Sequence, residues 1–374
     1  MKVDHAELTG DSPGTARRIA CWRYGTEGAR PKVYLQAGLH ADEMPGVLTL
    51  QHLLPLLDAA EAEGRVAGEV LVVPAANPVG LGQWAFQRPL GRQDAESLHN
   101  FNRGYPALGD RAGDLVQDRL TDDATGNEAA IRAALRQAVT EEAAKAQTDM
   151  VQGQLALLSW SIDADHVLDL HCDHFAVMHL YASPARPEDT ALLCRCTGAK
   201  VALIQEVSGG NAFDEAHTVP WVRLKARFGA DYPIPAGCFS TTLEYRGQFD
   251  VSDDLAVADA RGLMSYLAGV GAVTGWDDPP QHPDATHLPL GGAGEAFAPQ
   301  GGVVTWVARP GDTLAEGEVI AEVTDPMTRV RMAVRAPNTG IMFRHELWKS
   351  CLRGQSLAHV AGAEPVRGGD LLSD

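Results

Sequence analysis

The apolar residues in the first three quarters of this chain form short runs whose spacing predicts alternating strands and helices. Strands are predicted at residues 19–24, 32–37, 70–73, 167–170, 199–204 and 240–245. Helical periodicity predicts helices at residues 47–57, 122–146, 192–196 and 253–270. The strand, helix and strand between residues 32 and 73 have the spacing of a βαβ unit, so we expect a parallel sheet covered on both faces.

The pattern changes after a Pro-rich, acidic segment at residues 277–283. Beyond it, apolar residues lie in short strand-like segments separated by glycine turns, which is typical of an all-β region. We therefore predict an α/β domain over residues 1–285, with a mostly parallel or mixed sheet sandwiched by helices. A small C-terminal all-β domain is predicted over residues 286–374.

Charge and composition narrow the classes of partner. The chain has 31 basic and 49 acidic residues, a net charge of −18, with 45% hydrophobic residues. This balance argues against nucleic acid or an anionic membrane as the main partner, since both need a basic surface. The six cysteines are scattered without a CxxC pair, and no signal or membrane-spanning segment is evident. We expect a cytoplasmic protein with reduced thiols.

Two strand ends carry candidate metal ligands. Gly38 follows the strand at 32–37 and allows a sharp turn, after which His40 and Glu43 stand three residues apart. The strand at 167–170 ends in His171. Ligands in parallel sheets gather at the carboxyl ends of strands, and two histidines with one glutamate suit a catalytic zinc that keeps a position open for water.

Two carboxylates are candidates to support this site. Asp169 shares a strand face with His171 and is a candidate to bond either an imidazole N–H or a neighbouring positive group. Glu244, near the end of the strand at 240–245, is flanked by apolar residues whose burial would raise its pKa, as a general base requires. The alternative for Glu244 is an ion pair with Arg246.

A polar cluster at residues 100–106 offers substrate contacts. Asn102 and Arg103 together suit a carboxylate, which arginine binds in a two-pronged manner. Arg92 is a candidate to polarise a carbonyl, and Arg88 competes with it for that role.

Five motifs, taken together, resemble the succinylglutamate desuccinylase/aspartoacylase family, a branch of the zinc carboxypeptidase fold. They are residues 38–43, 77–78, 100–103, 169–171 and 242–244. The resemblance implies one zinc ion per chain, held by His40, Glu43 and His171. It also implies that Glu244 is the base, that Asn102 and Arg103 bind the substrate carboxylate, and that Arg92 stabilises the oxyanion. The chain has Ala41 where the family commonly has glycine, and residues 107–160 have no counterpart in the family core.

The activity implied is hydrolysis of the amide bond of a small N-acyl amino acid or related amine, with acetyl or succinyl as the acyl group. N-acetyl-diaminobutyrate is one candidate substrate. The alternatives are a zinc carboxypeptidase acting on short peptides, or a non-catalytic binding protein on the same fold. The oligomeric state, including a homo-oligomer, stays open.

The C-terminal region resembles biotinyl/lipoyl-type β-hammerhead domains at residues 307–312, 317–323 and 336–340. Carrier domains of that type place a modifiable lysine at the intervening hairpin. Residues 325–329 contain no lysine, so we expect a lid or oligomerisation module that shapes access to the zinc site.

Overall fold

The part of the chain that the structure describes, residues 1–10, 12–369 and 371, forms twenty strands and eight α-helices in this computed structural model. The strands are β1 Lys2–Leu8, β2 Arg17–Gly25, β3 Lys32–Ala37, β4 Glu69–Val73, β5 Trp84–Ala85, β6 Arg88–Pro89, β7 His166–Asp173, β8 Phe175–Ala176, β9 His179–Ala182, β10 Val201–Ile204, β11 Phe239–Gly247, β12 Thr286–Pro289, β13 Ala293–Phe297, β14 Gly302–Trp306, β15 Thr313–Leu314, β16 Val319–Thr324, β17 Arg331–Arg335, β18 Gly340–His345, β19 Ser350–Cys351 and β20 Ser356–Ala361. The helices are α1 Met44–Ala62, α2 Pro78–Leu81, α3 Leu108–Val116, α4 Ala124–Ala143, α5 Asp149–Ser161, α6 Pro187–Thr197, α7 Phe213–Phe228 and α8 Asp253–Gly269.

A nine-stranded mixed sheet organises the larger part of the molecule. Its strand order is β1-β2-β4-β3-β7-β11-β9-β10-β12. The central strands β4, β3, β7 and β11 run parallel, whereas β1, β2 and β9 join antiparallel to their inner neighbours. The carboxyl ends of β3, β7 and β11 therefore meet at one edge, where ligands of such sheets bind.

Helices cover both faces of this sheet, because successive side chains of a strand point to opposite faces. On β3, Tyr34 packs into a core cluster with α3, α4, α5 and α7, whereas Val33 and Leu35 pack into a second cluster with α1, α6 and α8. Because both faces of the central strands are buried, their sequences are continuous runs of apolar residues. The predicted α/β fold with a strand-rich C-terminal region is confirmed.

The C-terminal strands form two further sheets around a separate apolar core. Two connections join them to the nine-stranded sheet. Strand β8 pairs with β18, and β12 pairs with β10 as the edge strand of the large sheet. Residues 286–289 thus belong to the large sheet although they follow the predicted boundary at residue 285, and the division into two domains stays a prediction.

No helix in the described part of the chain combines the length and the hydrophobicity that a membrane span requires.

Candidate active site

The turn after β3 brings His40 and Glu43 together. Gly38 has a φ of +71°, a conformation that favours glycine, and it directs the chain away from the sheet. The Glu43 N–H donates to the His40 carbonyl at 3.1 Å, closing one turn before α1 begins. Glu43 is the N-cap residue of α1, but its side chain makes no capping bond. Its carboxylate is instead turned toward the histidines.

The strand register places His171 and Glu244 beside this turn. Leu170 of β7 lies opposite Ala37 of β3, and His171 lies opposite Glu244 of β11. Three neighbouring strand ends thus supply the candidate ligands and the candidate base.

His40, Glu43 and His171 form a buried group whose candidate ligand atoms all lie within 4.8 Å of one another. One carboxylate oxygen of Glu43 lies 3.0 Å from His40 Nδ1, and the other lies 2.8 Å from His171 Nδ1. The Cys172 N–H also donates to Glu43 Oε2 at 3.1 Å. Both imidazoles therefore present the same nitrogen to one carboxylate.

Hydrogen bonds behind the imidazoles define their tautomers. His171 Nε2 lies 2.9 Å from Asp169 Oδ2, which only accepts when ionised. His40 Nε2 lies 2.9 Å from Asn100 Oδ1, and that oxygen is identified as the acceptor because it also receives the Asn102 N–H at 2.8 Å. Each Nε2 thus carries a proton, and each Nδ1 is left to face Glu43.

This arrangement fits a metal cation. A neutral imidazole with its proton on Nε2 directs a lone pair from Nδ1 at the oxygens of Glu43, which is repulsive unless a proton or a cation lies between them. Two imidazole nitrogens and one carboxylate oxygen are also a ligand set of catalytic zinc sites. His40, Glu43 and His171 would hold the ion, with Asp169 and Asn100 orienting the rings.

The pKa values within this group reflect the same need for positive charge. Burial alone would raise the pKa of Glu43, but His40 and His171 outweigh it and hold the pKa well below its usual value. Burial would lower the pKa of His171, but Asp169 and Glu43 raise it well above 6.5. A bound cation can replace the proton that this imidazole otherwise retains.

Glu244 has the properties expected of a partly buried base. Burial, reinforced by the nearby Glu43 carboxylate, raises its pKa to about 8. Among the described residues, no hydrogen-bond partner contacts its buried Oε2 atom. Arg246 does not neutralise it, because that guanidinium binds Asp259 through contacts of 3.1 and 2.5 Å. The carboxylate of Glu244 therefore faces the cavity rather than an ion-pair partner.

The structure separates the two arginine candidates. Arg92 Nη1 lies 3.4 Å from His40 Nδ1 and 3.5 Å from Glu43 Oε1, at the rim of the metal group. Arg88 lies in the hairpin of β5 and β6, where its guanidinium stacks 4.3 Å from the ring centre of Trp348. The geometry favours Arg92 over Arg88 as the arginine that faces a bound acyl group.

Asn102 and Arg103 lie beside His171 in the same cavity. Asn102 Oδ1 accepts the Phe213 N–H at 2.8 Å, which fixes the start of α7, and its Nδ2 lies 3.5 Å from His171 Nε2. Arg103 Nη1 donates to the Asn102 carbonyl at 2.8 Å. Asn102 thus has a structural contact in addition to its predicted role toward substrate.

One wall of the cavity consists of residues that the sequence did not single out. Its volume is about 300 Å³, and C-terminal residues line one side, namely Leu290, Ala293, Glu295, Phe343, Arg344, Ser356, His359, Arg367 and Leu371. Arg344 Nη1 lies 2.6 Å from Asp173 Oδ1, and its Nε donates to His359 Nδ1 at 2.8 Å. Nothing in the local sequence marks these residues, because strand pairing across the molecule brings them to the site. Asn100, by contrast, lies within the motif at 100–103 and was missed only as a partner of His40.

Solved structures share this architecture. A Shewanella amazonensis protein described as belonging to the succinylglutamate desuccinylase/aspartoacylase family has a TM-score of 0.85 at 24% identity, with 96% of this chain and 98% of that chain covered. The ectoine utilization protein of Ruegeria pomeroyi, in its product-bound structure, has a TM-score of 0.64 at 18% identity, with 96% and 95% covered. At these identities the likeness shows the fold.

Sequence comparisons show similarity to one family. The N-alpha-acetyl-L-2,4-diaminobutyric acid deacetylase of Halomonas elongata is 24% identical over 349 residues, covering 89% of this chain and 83% of that protein. Residues 29–205 match the sequence model of the succinylglutamate desuccinylase/aspartoacylase catalytic domain. The matched segment contains the metal-ligand candidates, Arg92, Asn102 and Arg103, whereas Glu244 follows it. Over residues 29–205 the chain is thus similar to the catalytic domain of the succinylglutamate desuccinylase/aspartoacylase family.

Proposed function

We propose that this protein is a zinc-dependent deacylase, which hydrolyses the amide bond of an N-acyl amino acid or related small amine. One observation carries the proposal. The buried donor set of His40, Glu43 and His171 shares a cavity with Glu244, whose carboxylate has no ion-pair partner among the described residues. The match of residues 29–205 to the catalytic domain of a family named for deacylases, and a relative named as a deacetylase, support the reaction class.

Zinc at this site would supply a Lewis acid that activates water and polarises the acyl carbonyl. Glu244 takes a proton from water as the water oxygen bonds to the acyl carbon. The same carboxyl group then delivers a proton to the amide nitrogen as the carbon–nitrogen bond breaks. The products are a carboxylic acid and a free amine.

The remaining candidates bind and orient the substrate. Arg92 lies at the rim of the metal group and is placed to donate to the acyl oxygen as negative charge develops on it. Arg103, beside Asn102, supplies the positive charge that a substrate carboxylate requires. Because the cavity of about 300 Å³ is at the small end of ligand sites, it favours a single acylated amino acid.

A release assay tests this function directly. We expect the zinc-loaded protein to liberate amine from at least one member of a panel of N-acetyl and N-succinyl amino acids. Removal of zinc by a chelator should abolish release, and restoring zinc should recover it. Activity that persists after complete removal of metal would contradict the zinc-dependent mechanism.

The variant Glu244→Gln separates the base from the metal site. It keeps the size of the side chain but cannot accept a proton, so we expect kcat to fall by about 10²–10⁴-fold. Zinc content should stay near one ion per chain, since Glu244 is not among the proposed ligands. Undiminished turnover would place the base elsewhere.

A further inference from the structure

The cavity contains one acidic side chain that the proposed reaction leaves without a role. Its lining includes the carboxylates of Asp173, Asp214, Glu244 and Glu295. Asp173 binds Arg344, and Glu295 binds Arg367 at 2.5 Å. Glu244 is the proposed base. Asp214 has no ion pair with any residue that the structure describes.

The position of Asp214 is fixed by the first turn of α7. The preceding residue, Phe213, donates its N–H to Asn102 Oδ1 at 2.8 Å, so this turn is attached to the loop that carries Arg103. The following residue, Glu215, already accepts a hydrogen bond through its Oε1 atom from the Ser208 hydroxyl, at 3.0 Å. Asp214 is partly buried and lines the same cavity as Arg103 and His171.

The surroundings of Asp214 disfavour an uncompensated negative charge. Burial, with Glu215 and Asp169 nearby, raises its pKa to about 7. A partly desolvated carboxylate of this kind gains free energy when a cation binds it. Arg344 and Arg367 on the opposite wall are already bound to Asp173 and Glu295, so a cationic group of a ligand is a suitable partner for Asp214.

We propose that Asp214 binds the free ammonium group of the substrate and so selects N-acylated diamino acids over N-acylated monoamino acids. The inference rests on the proposed deacylase function, which it deepens by assigning a substrate class. In this arrangement Arg103 faces the substrate carboxylate and Asp214 faces its second, unacylated amine. Asp214 is thus a specificity-determining residue rather than a catalytic one.

Two substrates that differ mainly in one charge test the assignment. Nα-acetyl-2,4-diaminobutyrate has a terminal ammonium group where Nα-acetylnorvaline has a methyl group of similar size. We expect the wild-type protein to have the higher kcat/KM for the charged substrate. In Asp214→Asn the ratio of the two kcat/KM values should fall about tenfold or more, mainly through KM, because a partly desolvated ion pair is lost.

The matched control is Glu295→Gln, which removes one negative charge from the same cavity at a carboxylate already bound to Arg367. A general electrostatic effect would lower the ratio equally in both variants and would overturn the proposal. An unchanged ratio in Asp214→Asn, or a wild-type preference for acetylnorvaline, would also overturn it while leaving the deacylase function intact.

Binding measured without turnover keeps the two proposals distinguishable. By calorimetry, 2,4-diaminobutyrate should bind the zinc-loaded wild-type protein more tightly than norvaline, and Asp214→Asn should lose that difference. If this result holds but no N-acyl substrate is hydrolysed, the deacylase function fails and the role of Asp214 stands. Equal binding of the two amino acids would overturn the role of Asp214.

Discussion

At the scale of single residues, the two imidazoles of the proposed metal site differ in the group that accepts their second N–H. His40 has the neutral amide of Asn100 behind it, whereas His171 has the carboxylate of Asp169. Asp169 is itself held by Gln36, whose amide donates to Asp169 Oδ1 at 2.9 Å. An anionic partner makes the imidazole more basic, so His171 should be the stronger donor to a metal.

The variant Asp169→Asn should therefore weaken zinc binding by about 10–100-fold, because it removes the charge that orients and polarises His171. Competition with a chelator of known affinity measures the change. Asp163→Asn is a suitable control, since Asp163 is also an ion-paired acid but contacts Lys32 rather than a metal ligand. Unchanged zinc affinity in Asp169→Asn would show that this carboxylate does not support the ligand.

Residues next to a strand end or in a short motif could be predicted from the sequence. His40, Glu43 and His171 follow apolar runs that the local pattern predicts to be strands. Since the carboxyl ends of parallel strands form the binding edge of such a sheet, these residues could be predicted to lie close together. Arg344 and His359 could not be predicted in this way. They reach the cavity through pairing between strands far apart in the chain, and local sequence does not encode such pairing.

At the scale of elements, the loop that carries Arg92 packs closely against the turn that carries His40 and Glu43. The Ala41 N–H donates to the Gly91 carbonyl at 2.9 Å. A Cβ atom added to Gly91 would lie 2.2 Å from Asp42 N and 2.4 Å from the Ala41 carbonyl carbon. Only glycine permits this approach, so Gly91 couples the position of Arg92 to that of the metal ligands.

We expect Gly91→Ala to move the loop off the turn, lowering zinc affinity and reducing the free energy of unfolding by about 1–3 kcal/mol. Gly82→Ala is the matched control, because the nearest atom to its added Cβ, Val79 O, lies at an ordinary 3.5 Å. Chelator competition and urea unfolding measure the two effects. A Gly91→Ala protein with the zinc affinity of Gly82→Ala would contradict the coupling.

The bounds of strands that are buried on both faces of the sheet were the easiest to predict from the sequence. The strand predicted at 32–37 coincides with β3, because every residue of β3 is buried and the run is continuous. Strand β1 was not predicted, since it lies at the sheet edge and alternates with exposed polar residues. Helix α7 contains Pro220, which interrupts the pattern that sequence periodicity would detect.

At the scale of the whole molecule, the C-terminal strands are attached to the nine-stranded sheet beside the candidate active site. Strand β8 follows directly after β7 and pairs with β18. An ion pair reinforces this contact, since His174 Nδ1 lies 3.1 Å from Glu346 Oε2. The attachment holds the cavity wall next to the strand that ends in His171.

This attachment should depend on pH. The contact with Glu346 raises the pKa of His174 above 6.5, so the ion pair contributes fully below pH 6.5 while Glu346 stays ionised. The contribution is lost as pH rises through the raised pKa. Urea unfolding should therefore show wild type to be more stable than His174→Gln at about pH 6, with the difference gone at about pH 9.

The exposed His99 provides the control, since His99→Gln should leave the pH dependence of stability unchanged. A difference between wild type and His174→Gln that is equal at both pH values would contradict the ion-pair assignment.

Sequence predicted the order of an α/β part and a strand-rich part, because composition and periodicity change near residue 285. It did not predict that β12 completes the large sheet or which C-terminal residues line the cavity. Both depend on contacts between distant segments, whereas periodicity reports only local burial.

The placement of the wall has a consequence for biosynthesis. The metal-ligand candidates end at His171, Glu244 follows on β11, and every C-terminal wall residue comes at or after Leu290. A ribosome thus releases the candidate metal donors first, then the candidate base, and the C-terminal wall last. A chain cut short after α8 would retain the donors and the base without the surface that encloses one side of the cavity. Synthesis of the C-terminal strands is therefore a condition for an enclosed site.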